Sequence, residues 1–183
     1  MENYMENIIL GLLYYKGRTI YELKLRFESS LSMMYSSSTG SIQSALKKLL
    51  SAEEVERSER YEGGRLKKLY TITPKGRERF ISWVNSPFEF RQNKNPELAK
   101  LYFAGQAERK GLAERVGKYA EVLKAEAEAL DKVVAEGERL KQAGEAGEVF
   151  VFQLLTVKYN ADMLRFEAEW FGKAAKLMEQ GTV

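Results

Sequence analysis

Between Met5 and Tyr15 the apolar residues Ile8, Ile9, Leu12 and Leu13 fall at helical spacing, and Lys16-Gly17 ends the run. This predicts a first helix. Thr19, followed three residues later by Glu22, has the arrangement of a capping box and opens a second helix whose apolar side is Ile20, Leu23 and Phe27. That helix is expected to stop in the Glu28-Ser29-Ser30 stretch. Beyond the serine-rich Ser36-Ser37-Ser38-Thr39-Gly40, the residues Ile42, Ala45, Leu46, Leu49 and Leu50 form the unbroken stripe of a third helix. The period then changes. Val55 to Tyr61 and Leu66 to Ile72 read as two strands joined by the glycine turn Glu62-Gly63-Gly64-Arg65. Thr73-Pro74 supplies an N-cap and a first-turn proline for a fourth helix, in which Phe80, Ile81, Trp83 and Val84 are expected to face inward. Helix, helix, helix, hairpin, helix is the order of a winged helix-turn-helix.

Ser86-Pro87 and the polar stretch from Arg91 to Asn95 have the character of a linker, which puts a domain boundary near residue 88. Asn95-Pro96-Glu97 repeats the cap-then-proline pattern and opens the segment Leu98 to Gln106. Next, Leu112, Val116, Tyr119, Leu123, Leu130, Val133 and Leu140 follow an alternating four-three spacing, interrupted where Glu126 and Gly137 take seam positions. After Gly144-Glu145-Ala146-Gly147, a last helix carries Phe150, Leu154, Val157, Ala161, Leu164, Ala168, Phe171, Ala175 and Met178 in the same spacing. Two long helices joined by a tight turn predict an antiparallel pair. Tyr159, Met163, Phe166 and Trp170 form a second stripe on the last helix, wider than one partner helix covers, so a third helix or a second subunit is expected there. The fold class is therefore mostly α with a small β-hairpin. The expected domains are 1–88, a winged helix-turn-helix, and 89–183, an antiparallel long-helix domain for dimerisation and effector binding.

Composition narrows the function. The 183 residues include no cysteine and no histidine, which removes disulfides, thiolate ligands, thiol nucleophiles and the commonest general base and metal ligand. No catalytic residue, metal or cofactor is expected. The carboxylates Glu126, Glu128, Asp131 and Glu136 lie along one long helix, where they form a solvated face and no acid/base pair. The N-terminus lacks the basic region of a signal peptide, and its apolar run is too short to span a bilayer, so a cytoplasmic location and no membrane contact are expected. Net charge is +4 over residues 1–88 and −1 over the remainder, which places any polyanion-binding face in the first half.

Subtracting the core stripe from the third helix leaves Ser41, Gln43, Ser44, Lys47, Lys48 and Ser51 for a major groove. The serines and Gln43 can hydrogen-bond base edges or phosphates, and the lysines can neutralise phosphates. Ser38 and Thr39 precede them where an N-cap presents hydroxyls and free N–H groups. In the wing, Arg57, Arg60, Arg65, Lys67 and Lys68 cluster around a slim Gly63-Gly64 tip, diluted by Glu56, Glu59 and Glu62. The set expected on DNA is thus Ser38, Thr39, Ser41, Gln43, Ser44, Lys47, Lys48, Arg60, Arg65, Lys67 and Lys68. The aromatic residues Tyr102, Phe103, Tyr159, Phe166 and Trp170 are candidates to line a pocket for a flat effector; core or dimer interface is the other use of such rings.

Five segments in order and spacing carry a family resemblance: Ile9-Leu10-Gly11-Leu12-Leu13, Tyr21-Glu22-Leu23-Lys24, Gly40-Ser41-Ile42 with Ala45-Leu46-Lys47-Lys48-Leu49, Leu69-Tyr70-Thr71-Ile72-Thr73, and Lys75-Gly76. The chain resembles the PadR-like transcriptional regulators. Leu101 to Gly105 and the stretch ending in Glu169-Trp170-Phe171 are similar to members with a long helical C-terminal domain. The resemblance implies a cytoplasmic repressor, a homodimer joined through its C-terminal helices, and operator DNA bound by third helix and wing. Release by a small molecule, phenolic compounds being one class, is a family theme. The chain departs from the pattern at Gln43, where a tyrosine is usual, near Ile20, where a glycine is usual, and at Glu54, where a glycine usually precedes the wing. Glu54 is expected to add negative charge close to the DNA side. The alternative class is a winged-helix module for protein–protein contact, with a helical scaffold and no DNA binding, which the acidic wing residues favour.

Overall fold

The computed structural model describes residues 4–32, 34–35, 38–62, 65–88, 95–106 and 110–181, with the side chains of Glu62 and Arg65 outside that set. The expected tip residues Gly63 and Gly64, Ser36 and Ser37, and most of the expected linker from Arg91 onward lie outside the described residues. The chain divides into two compact units, Met1–Arg91 and Gln92–Val183. No helix among the described residues is long and apolar enough to cross a membrane.

The first unit runs α1 (Tyr4–Leu13), α2 (Ile20–Arg26), α3 (Thr39–Ser51), β1 (Val55–Glu62), β2 (Arg65–Ile72) and α4 (Pro74–Val84). The capping box is formed as expected: the Thr19 hydroxyl accepts from the Glu22 N–H at 3.2 Å, and the Glu22 carboxylate accepts the Thr19 N–H at 2.7 Å. After Arg26 the backbone continues in a π-type turn over Phe27–Leu31. This wider turn keeps Phe27 in the core beside Leu23. Ile9, Leu10, Leu13, Leu23, Phe27, Ile42, Leu46 and Leu49 are the largest fully buried side chains, and Val55, Tyr70 and Ile72 bring the base of the hairpin into the same core. Each such burial contributes about 1.5–3 kcal/mol.

The hairpin is antiparallel from Val55 opposite Ile72 to Glu62 opposite Arg65. Arg18 extends it at its base, exchanging N–H to carbonyl hydrogen bonds of 3.0 Å with Tyr70. In α4 one expectation fails. Phe80 and Trp83 are half-buried, with rings tilted or edgewise against Tyr14, the residue after α1, and Tyr4 at the start of α1, whereas Ile81 and Val84 are exposed. Phe80 and Trp83, three residues apart, make the line that faces α1, and Ile81 and Val84 each stand one residue, about 100°, off it.

The second unit contains α5 (Pro96–Tyr102), a 3-10 turn at Ala104–Gln106, α6 (Leu112–Gln142) and α7 (Glu148–Glu179). The Asn95 side chain caps α5, accepting from the Glu97 N–H at 2.9 Å. Helices α6 and α7 are antiparallel, since Gly117 lies by Ala175, Asp131 by Arg165 and Glu138 by Lys158. The α6 seam differs from the one expected. Its buried residues are Val116, Ala120, Leu123, Ala127 and Gly137, while Val133 is exposed and Tyr119 only half-buried. Small residues at 120, 127 and 137 let the two backbones approach; a Cβ on Gly137 would stand 2.5 Å from Leu154 Cδ1. Gly137 is thus part of the seam and no interruption of it. The α7 seam is the expected one, with Leu154, Ala161, Phe171 and Ala175 buried.

Candidate nucleic-acid interface

Helix α3 begins at a serine pair. The Ser38 hydroxyl accepts from the Ser41 N–H at 3.1 Å, and the Ser41 hydroxyl accepts the Ser38 N–H at 2.9 Å and donates to the Ser38 carbonyl at 2.8 Å. These two side chains are engaged in holding the helix start. Ile42, Ala45, Leu46 and Leu49 turn inward, which leaves Thr39, Gln43, Ser44, Lys47 and Lys48 on the exposed side. Gln43, Ser44 and Lys47 make no side-chain hydrogen bond or ion pair within the described residues. Lys48 does: its ammonium lies 3.6 Å from the buried carboxylate of Glu6 in α1.

The wing separates its cations by register. Val55, Tyr70 and Ile72 are buried, so the face carrying Val55/Ile72, Arg57/Tyr70, Glu59/Lys68 and Tyr61/Leu66 is the core side. Arg60 and Lys67 stand opposite each other on the other face, beyond Ser58/Leu69, and both are exposed. The structure therefore brings Arg60 and Lys67 together and sets Lys68 apart, opposite Glu59. Arg65 holds the β2 position opposite Glu62, and its side chain lies outside the described residues.

Glu54 is not a surface charge on the DNA side. It is buried at 8% exposure and accepts from Arg79 Nη1 at 2.5 Å, while Arg79 Nη2 donates to Glu6 at 2.8 Å and Nε to Asn7 at 3.1 Å. Burial alone would disfavour the guanidinium, but the hydrogen bonds to Glu6 and Glu54 outweigh it and raise the Arg79 pKa. The residue with left-handed backbone is its neighbour Glu53, at φ 58°, where α3 closes through Glu53 N–H to the Leu50 carbonyl and Glu54 N–H to the Leu49 carbonyl. Sequence reasoning missed Glu6, Asn7 and Arg79. Their only signal was an acid and an amide beside the apolar stripe of α1, because that helix is buried around more than half its circumference.

Of the five effector candidates, Tyr102 and Phe103 touch edge-to-face at 4.9 Å between ring centroids, and Trp170 meets Phe171 in the same way at 5.0 Å. All five are exposed, and no ring contact among the described residues joins the first pair to Tyr159, Phe166 or Trp170. No group of acidic side chains that could hold a metal ion is present among the described residues.

No curated protein sequence matches this chain. Solved structures do. Bacillus subtilis PadR in complex with operator DNA has a TM-score of 0.80 at 20% identity, over 96% of this chain and 99% of that one. The same protein in complex with p-coumaric acid gives 0.73 at 18%, over 97% and 99%. A PadR-like transcriptional regulator from Bacillus cereus gives 0.71 at 20%, again over 97% and 99%. Identities this low carry the fold, a winged helix with long C-terminal helices. Family models match the sequence itself: residues 9–81 fit the transcriptional regulator PadR-like family, and residues 93–179 fit the virulence activator alpha C-terminal family. By these matches the first unit is a domain of the transcriptional regulator PadR-like family, followed in the chain by one similar to the virulence activator alpha C-terminal family.

Proposed function

We propose that this regulator is a cytoplasmic repressor that binds an inverted-repeat operator as a homodimer, with α3 in the major groove and the wing on the flanking backbone, and that a small aromatic effector releases it. The observation that carries the reading is the exposed side of α3: Gln43, Ser44 and Lys47 make no side-chain hydrogen bond or ion pair among the described residues, and they supply base-edge donors and acceptors together with a phosphate-neutralising charge. Arg60 and Lys67 add positive charge on one face of the wing. That a relative of the same fold was solved in complex with operator DNA supports the DNA-binding reading.

Support for the dimer comes from α7. Val149, Phe152, Tyr159, Met163, Phe166, Trp170 and Leu177 repeat at heptad-like intervals on a side of the helix that α6 leaves open, and all but Met163 are exposed. A second copy of this chain is the proposed cover, and two-fold symmetry then places two α3 helices on two half-sites. The effector reading rests on the exposed rings of Tyr102, Phe103, Tyr159, Phe166 and Trp170 and on the relative solved with p-coumaric acid. Adding p-coumaric acid to the protein–duplex complex is expected to release DNA; unchanged affinity would remove that phenol as the effector.

A salt titration tests the docking face. Lys47→Ala should reduce the slope of log affinity against log salt by about one, and Gln43→Ala should change sequence preference instead. Lys48→Ala is expected to have the smaller salt effect, because its charge is already shared with Glu6. A Lys47→Ala protein with the parent's slope would move the interface off α3.

A further inference from the structure

The third helix and the wing meet at Glu53–Glu54, and α4 grips that junction from both main chain and side chain. The Thr73 hydroxyl donates to the Glu53 carbonyl at 2.8 Å, and the Thr73 N–H to the Glu54 carbonyl at 3.1 Å. Gly76 lies so close to the Glu54 carbonyl that a Cβ there would overlap it. One turn further along α4, each of the three guanidinium nitrogens of Arg79 donates to a different acceptor from two other segments: Glu54 at the junction, and Glu6 and Asn7 on α1. Glu6 in turn holds Lys48 of α3. All three acceptor residues are buried, at 4–8% exposure. A planar guanidinium fixes angles as well as distances, because its donors point in set directions.

We infer that Arg79 is a positioning residue for specific DNA recognition: its fork sets the root of the wing against α1 and α3, so that the α3 side chains and the wing cations reach one duplex together. The inference rests on the proposed docking of α3 and wing. Arg79 itself touches no DNA in this account. Two features favour positioning over plain stability. The unit already has a continuous apolar core from α1, α2, α3 and both strands. Buried ion networks, moreover, are often no more stabilising than apolar groups of the same volume, and in some proteins what they supply is the choice of one arrangement among several.

A duplex selected from a random pool, and a scrambled duplex of equal length, are titrated by fluorescence anisotropy over a range of salt. If the parent does not prefer the selected duplex, the DNA-binding proposal itself has failed, which is known before any variant is made. The triple variant Glu6→Gln, Glu54→Gln, Arg79→Gln removes the charges but keeps amide donors and acceptors, and its fold is checked by circular dichroism. It should lose about ten-fold of its preference for the selected duplex, the worth of one base-pair contact, while binding the scrambled duplex no more weakly than the parent. Arg79→Lys keeps the charge without the fork and should fall between the two. A folded triple variant with the parent's preference overturns the inference. Should the triple variant not fold, Arg79→Lys decides by the same ratio: a reduced preference supports positioning, and an unchanged one rejects it.

Discussion

The two units bury apolar residues by different means. In the first, side chains from three helices and a hairpin converge from several directions, and Ile9, Leu10, Leu23, Ile42 and Leu49 all reach 0% exposure. In the second, two long helices share one line of contact, closed by alanines, Gly137 and a few large residues, and six large apolar side chains of α7 remain exposed along another line. A helix pair can cover only one stripe on each member, whatever the sequence offers beyond it. A unit folded around a closed core is complete as a monomer. In the second unit the open seam of α7 is the surface on which the proposed second copy would sit.

The largest effect is expected where that contrast is broken. Tyr159→Glu combined with Phe166→Glu puts two carboxylates into the open seam of α7 and should weaken self-association at least about 100-fold, near 2.7 kcal/mol. Light scattering at micromolar concentration would then give the 21.0 kDa chain in place of twice that mass. The near-ultraviolet circular dichroism of the aromatic residues in the first unit should be kept. A double variant that stays dimeric would place the interface elsewhere.

A smaller effect sharpens the other side of the comparison. Glu53 occupies the left-handed position at φ 58° that closes α3. Glycine is free of the side-chain penalty there, so Glu53→Gly should stabilise the first unit by about 1 kcal/mol, seen as a rise in its thermal midpoint. A fall in the midpoint would mean that Glu53 makes up for its backbone through contacts of its own.

The smallest effect concerns pH. Hydrogen bonding from the Thr19 backbone, opposed by burial and aided by the Thr19 hydroxyl, Lys16 and Arg18, holds the Glu22 carboxyl below its usual 4.5. Its contribution is therefore complete above the unfolded value and is lost as pH falls through the lower folded value. Glu22→Gln should lower the midpoint of the first unit at pH 7 and have little effect at pH 2. Equal losses at both would show that the capping box acts without its charge.

What was legible in the sequence follows the same division. Caps and turns are local, so Thr19 with Glu22, Ser38, Thr73-Pro74 and Asn95-Pro96 could be read from a few neighbouring residues, as could the core stripes of α3 and α7. The seam of α6 is not legible in the spacing, because Tyr119, Val133 and Leu140 outweigh Ala120, Ala127 and Gly137 in hydrophobicity, whereas two helices at close range select for small size. The spacing does not separate Ile81 and Val84 from Phe80 and Trp83, because all four fit a helical period and only the position of α1 decides which line is covered. The Arg79 network joins residues 25 and about 70 positions apart. No spacing rule reaches that far, so Glu54 reads from the sequence as a surface charge, its partner being 25 residues away.

The central claim is that a self-sufficient reading head is carried in pairs by a helix that needs a second copy. Selection of duplexes from a random DNA pool by the full chain tests both parts at once. The account predicts enrichment of an inverted repeat whose half-sites are separated by about one helical turn of roughly 10 base pairs, or a multiple of it. Recovery of a single unpaired site, or of no preferred sequence, would contradict it.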